Sequence, residues 1–142
     1  MTDCILYGRV STDHQDVQRQ ERMFADYCQR NALQPVLALL DEDTSGSIPF
    51  RERTQGGRLF RELGTCRALV TTEQDRIGRD TLDIIATIRA LWQLGAVPHF
   101  IAEGGALPRS PENELRMEIK ASVAQYERNK ICLLYTSPSP RD

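Results

Sequence analysis

No stretch of about 18 apolar residues exists in the chain, and its start lacks a basic-then-apolar pattern, so neither membrane insertion nor secretion is expected. A cytoplasmic setting with no membrane partner follows. Basic excess is missing too: 18 Lys and Arg stand against 20 Asp and Glu, a formal charge of −2. Without a cationic surplus to neutralise phosphates, strong autonomous nucleic-acid binding is not expected. Cys4, Cys28, Cys66 and Cys132 are scattered with no CxxC pair. That spacing argues against a zinc site or a disulfide framework, fits a reducing compartment, and leaves each thiol as a small apolar filler. Only two histidines occur, His14 at a helix start and His99 within a strand. Both read as structural or solvated residues, so a Ser-His triad has no base. Gly56-Gly57 and Gly104-Gly105 do not complete a GxGxxG pattern, and no cofactor is expected.

What is present reads as one α/β domain, since 142 residues suffice for a single sizeable core. Short apolar runs at Cys4–Tyr7, Val36–Leu40, Arg67–Thr72 and Val97–Ile101 read as strands. Helical periodicity fills the gaps. Val17, Gln20, Phe24, Tyr27 and Cys28 mark a helix from Asp13 to about Arg30, and Leu59, Phe60 and Leu63 a short one ended by Gly64. Asp80 is placed as N-cap of a helix with the stripe Ile84, Ile85, Ile88, Leu91 and Trp92, and Gly95 as its stop. The last helix opens with Ser110 as N-cap, Pro111 and Glu112, and carries Leu115, Ile119, Val123 and Tyr126 on one stripe. Residues 41–47 and 102–109 read as loops. Strands alternating with helices imply a mainly parallel sheet of four to five strands, crossover helices and a long C-terminal helix.

The chemistry concentrates in three segments: Tyr7-Gly8-Arg9-Val10-Ser11-Thr12, Asp75-Arg76-Ile77-Gly78-Arg79 and Gln125-Tyr126-Glu127-Arg128. The first two follow strands, and so open at the sheet's carboxyl edge, where α/β folds bind ligands. A hydroxyl among guanidiniums suits attack on a phosphodiester, because the planar fork matches phosphate oxygens while serine supplies the nucleophile. Arg9 lies two residues before Ser11, so on an extended strand both point the same way. Together with the Ser45-Gly46 loop followed by Arg53, these segments resemble the catalytic domain of the serine recombinases, the resolvase and invertase type, over roughly Asp3 to Ile131.

The resemblance implies a resolvase-like three-layer fold and a site-specific DNA recombinase that cleaves and rejoins strands through a phosphoseryl link to Ser11. Arg9, Arg53, Arg76 and Arg79 would surround the phosphate and Asp75 would orient an arginine or exchange a proton. Gln20, Glu127 and Arg128 would support them, with no metal. Arg51, two residues from Arg53, remains an alternative phosphate clamp. Gln20 alone would read as a core-edge amide satisfied by backbone. The final stripe, which in isolation would pack on its own domain, becomes a dimer and DNA helix. A homodimer, and a tetramer in the synapse, are the implied assemblies on DNA, and a bacterial, phage or plasmid-borne gene the implied source.

Two rivals stand beside this reading. Asp41, Glu42 and Asp43 could hold Mg²⁺ in a metal-dependent nuclease, and the chain could be a non-catalytic dimerisation or phosphate-binding module. From Cys132 the character changes to Ser and Pro alternation that does not continue a helix. Residues 1–131 are therefore expected to form the domain, with its long helix about 110–131, and 132–142 a non-native-looking tail. No helix-turn-helix follows, so a parent truncated before its DNA-binding region is expected.

Overall fold

The computed structural model describes residues 2–10, 13–42, 47–64 and 66–136. Strands β1 (Thr2–Val10), β2 (Leu33–Glu42), β3 (Ala68–Thr71) and β4 (Val97–Phe100) are parallel, and the short β5 (Gly105–Ala106) runs antiparallel to β4. Their order across the sheet is β2-β1-β3-β4-β5. Four helices connect or flank them: α1 (His14–Arg30), α2 (Thr54–Glu62), α3 (Thr81–Gln93) and α4 (Pro111–Thr136).

Side-chain alternation along the strands builds a core on each face of the sheet. Cys4, Ala68 and Val70 meet Phe24, Tyr27 and Cys28 of α1 on one side. On the other, Ile5, Tyr7, Leu39, Leu69 and Phe100 pack with Leu59 of α2, Ile85, Ile88 and Leu91 of α3, and Met117 of α4. The result is the expected three-layer arrangement. Burial pushes the Cys4 thiol up to about 12, with Cys28 alongside adding to the rise, so it serves as packing.

Helix ends follow the sequence closely. Asp13 accepts from the Gln15 amide at 2.9 Å, Asp80 from that of Asp83 at 2.8 Å, and Ser110 from that of Asn113 at 3.1 Å. At the end of α3, Gly95 (φ 80°) lets its own amide reach the Trp92 carbonyl at 3.0 Å and that of Ala96 reach Leu91 at 2.9 Å. This is the Schellman closure that a left-handed glycine permits.

Several boundaries differ from expectation. β2 starts at Leu33, because as an edge strand it tolerates Pro35, beside a register shift at Cys4/Ile5. It also runs through Glu42, so Asp41 belongs to a strand and not to the expected 41–47 loop. The stretch 102–109 contains β5, held to β4 by backbone pairing alone. α4 continues past Ile131 to Thr136.

Tyr27 and His99 join α1 to β4, with Tyr27 Oη 2.7 Å from His99 Nδ1. Burial lowers the His99 pKa below its ordinary 6.5, which keeps the ring neutral and able to accept the tyrosine hydroxyl. A base whose folded pKa is depressed adds stability above its unfolded value and loses it as pH falls through the folded one. The thermal midpoint should accordingly drop on acidification below pH 6.5, and His99→Gln should flatten that dependence; melting curves of both proteins between neutral and mildly acid pH check this.

Candidate active site at the sheet's carboxyl edge

Arg9 is the penultimate residue of β1, and the 3₁₀ turn Gln74–Arg76 follows the neighbouring β3, so the sheet order itself sets Arg9 beside Arg76. Arg76 Nη1 donates to the Arg9 carbonyl at 3.1 Å. Arg53 reaches the same place from the start of α2: its Nη1 donates to the Arg76 carbonyl and, at 3.4 Å, to Tyr7 Oη, while Nε donates to the Ile48 carbonyl at 3.0 Å. Only 2% exposed, Arg53 is held by dipoles from three segments. A guanidinium so buried is tolerated because its N–H groups find acceptors. Gln20, 1% exposed on α1, donates to the Arg9 carbonyl at 3.5 Å and to Asp16 Oδ2 at 3.1 Å. Its amide is thus satisfied partly by backbone, at the point where Arg9 sits.

Tyr7 extends the chain of hydrogen bonds to β2, donating to Asp41 Oδ2 at 2.7 Å. Burial raises its pKa; the Arg53 hydrogen bond opposes the rise and the Asp41 contact adds to it, so the phenol stays a donor. Asp41 is 2% exposed and also accepts from the amides of Gln55 at 2.8 Å and Gly56 at 3.1 Å. α2 has no cap from its own N-cap residue, Arg53, and takes one from Asp41 across the fold. This overturns the Mg²⁺ reading of Asp41–Asp43. Asp41 spends its oxygens on three donors inside the protein, Glu42 faces the opposite side of the strand as an exposed residue, and Asp43 lies outside the described residues.

The two candidate clamps separate clearly. Arg51 is exposed, with its guanidinium 4.3 Å from the Phe60 ring centroid, while Arg53 points inward to the strand ends. Gly56-Gly57 also gains an explanation, because a Cβ at Gly56 would stand 2.4 Å from the Phe50 carbonyl. These glycines let α2 pack against its preceding turn.

Not all the expected residues join this cluster. Arg79 and Arg128 form a second group, at Asp80 Oδ2, at 3.6 and 3.0 Å. Asp75 is exposed on the 3₁₀ turn, and Glu127 is exposed on α4 beside a groove of about 380 Å³ shared with α3. Leu115, Ile119, Val123 and Tyr126 are 57%, 55%, 51% and 66% exposed, so the stripe does not pack on its own domain. Ser11 and the Ser45-Gly46 pair lie outside the described residues; Ser11 directly follows the last residue of β1.

A profile of the family described as Resolvase, N terminal domain matches residues 4–132. The chain belongs to the resolvase family. Serine recombinase PinQ of Escherichia coli (strain K12) is 30% identical over 129 residues, covering 91% of this chain and 64% of that protein. The Transposon Tn2501 resolvase of Escherichia coli is 31% identical over 129 residues, covering 91% and 65%. The chain thus spans less than two thirds of these resolvase-family relatives. Among solved structures, the N-terminal catalytic domain of TP901-1 integrase matches at TM-score 0.74 and 19% identity, over 90% of this chain and 98% of that one. A resolvase family site-specific recombinase from Streptococcus pneumoniae matches at TM-score 0.75 and 17% identity, over 96% and 95%. Both likenesses concern the resolvase fold.

Sequence reasoning passed over Tyr7 as a site component, although Tyr7 and Arg9 stand two residues apart on β1 and so share a face. Asp41 gave no such signal, since its partners on α2 are 14 and 15 residues away.

Proposed function

We propose that this domain cleaves and rejoins DNA strands as the catalytic part of a site-specific serine recombinase. The observation that carries the reading is the linked Arg9–Arg53–Arg76 set at the end of β1, immediately before Ser11. Ser11 Oγ attacks phosphorus, its proton departs, the bond from phosphorus to the 3′ oxygen breaks, and that oxygen takes up a proton. Asp75 is the candidate for exchanging it. The phosphoseryl ester keeps the bond energy, so a deoxyribose hydroxyl can reverse the step. The Arg76 guanidinium, held in advance by the Arg9 carbonyl, needs little rearrangement when charge shifts onto the phosphate oxygens, and such preorganisation is a main source of catalysis. Arg9, Arg76 and Arg79 are assigned to the phosphate, Arg53 holds the Arg76 turn, and Gln20, Glu127 and Arg128 support the arrangement. The deciding experiment joins this domain to a DNA-binding module and offers a nicked suicide substrate in excess EDTA; a covalent adduct mapping to Ser11 by mass spectrometry is the expected result.

The net charge of −2 assigns DNA affinity to a joined module. Association between copies, as dimers and as tetramers on DNA, is assigned to the exposed α4 stripe. Ile119→Lys places a charge in that seam and should weaken self-association at least about tenfold, as hot-spot losses do. Sedimentation across a concentration series measures it, and equal association of both proteins would remove α4 from the interface.

A further inference from the structure

Asp80 does two jobs with its two oxygens. Oδ1 accepts the Asp83 amide at 2.8 Å and caps α3, which fixes the carboxylate in place. Oδ2 is thereby held where α3 begins beside α4, and it takes both Arg128 at 3.0 Å and Arg79 at 3.6 Å. Residues 125–131 of α4 are all exposed. Among the described residues, the Arg128–Asp80 contact is the one hydrogen bond or ion pair that ties this stretch to the body. Two guanidiniums on one carboxylate leave a net positive cluster. Their side chains are 47% and 48% exposed, a setting in which an ion pair is weak and exchangeable. A phosphate offers more oxygens in a geometry that the guanidinium fork matches bidentately, so it competes well for the same two cations.

We propose that Asp80 is a positioning residue that gathers Arg79 and Arg128 on one oxygen, pins the second half of α4, and yields both arginines to DNA phosphates on binding. The proposal rests on the strand-transfer reading for its ligand, but the clamp itself is measurable without DNA. Asp80→Asn keeps the cap, because Asn serves as well as Asp at an N-cap, and removes the charge that holds the arginines. Asp26→Asn is the matched control: it makes the same charge change and releases Arg30 from an exposed pair on α1, 3.0 Å apart.

In the 142-residue chain, Asp80→Asn should speed amide hydrogen exchange across 125–131 by up to about fivefold, the scale of one exposed ion pair. Arg128→Gln should do the same, the double variant should do no more, and the melting temperature of Asp80→Asn should match that of Asp26→Asn. With the domain joined to a DNA-binding module, fluorescence anisotropy on a short duplex should show Asp80→Asn binding up to about fivefold tighter than Asp26→Asn at an unchanged slope of log K against log salt, since both arginines already reach phosphates in the wild type, while Arg79→Gln/Arg128→Gln should make that slope shallower by about 2. Unaltered exchange would overturn the clamp. Faster exchange with duplex affinity no tighter than that of the control, or with a salt slope that Arg79→Gln/Arg128→Gln leaves unchanged, would overturn the surrender of the arginines to phosphate. Tighter binding by Asp80→Asn together with a missing Ser11 adduct would sustain the clamp and defeat the strand-transfer reading instead.

Discussion

Replacing Ser11 with alanine should abolish the covalent protein–DNA adduct formed by the fused domain on a suicide substrate, a loss of at least about a thousandfold. The expectation is this large because Ser11 directly follows β1, two residues after Arg9 in the chain, and the phosphoseryl ester exists only if this oxygen attacks. Duplex binding by the fusion should be unchanged, which separates lost chemistry from lost affinity. Because the positive charge at the phosphate is assigned to Arg9, Arg76 and Arg79, the wild-type adduct should form undiminished in EDTA. An adduct that persists in the alanine variant would transfer the role to another residue. Formation that needs added Mg²⁺ would replace the arginine-based account of the phosphate site.

Arg53→Ala should destabilise the domain by about 3–5 kcal/mol, the range seen when one member of a buried polar or ionic arrangement is deleted. It would strand the Ile48 and Arg76 carbonyls and remove a donor from Tyr7 Oη, at a position only 2% exposed. Arg53→Lys should rescue little, since a point ammonium on a flexible stem does not reproduce a fork that serves three acceptors in different directions. Arg51→Ala should cost no more than about 1 kcal/mol, because its exposed guanidinium only lies over the Phe60 ring. Urea unfolding of the three variants gives the comparison. If Arg51→Ala proved the more damaging, the assignment of the internal clamp would be reversed. Arg53→Ala should also slow adduct formation beyond what its stability loss explains, because the Arg76 turn loses its tether.

Local chemistry explains which parts of this structure could be read from the chain. Asp80 and Ser110 announce helix starts because a short polar side chain satisfies orphan amides within three residues, and Gly95 announces an end because few other residues adopt its φ of 80° comfortably. The stripe on α3 is legible for the same reason, since burial on one face imposes a helical period. β5 was illegible: two residues paired through backbone leave no pattern of side chains. Arg53 and Arg51 could not be separated by spacing, as what distinguishes them is the distant Tyr7 and Arg76 to which Arg53 is bound. Asp41 was misread outright in the metal-site alternative. An acidic residue after an apolar run looks like a loop carboxylate until the amides of α2 are brought beneath it. The arginines at strand ends were legible as a group, and their division into an Arg53–Arg76–Arg9 chain and an Arg79–Arg128 pair was not, because the division depends on Asp80.

The anchoring of α2 by Asp41 has a consequence for how the chain can change in length. With Asp41 at the end of β2 bound directly to the Gln55 and Gly56 amides in the first turn of α2, the helix start is anchored independently of the residues that link the two elements. Extra residues inserted between Glu42 and Ser47 would enlarge a closed circuit whose two ends stay fixed. The entropic penalty of such enlargement grows only logarithmically, by about 0.6 kcal/mol for each doubling. An insertion there should therefore leave in place both the Asp41 anchor and the arginine framework behind it.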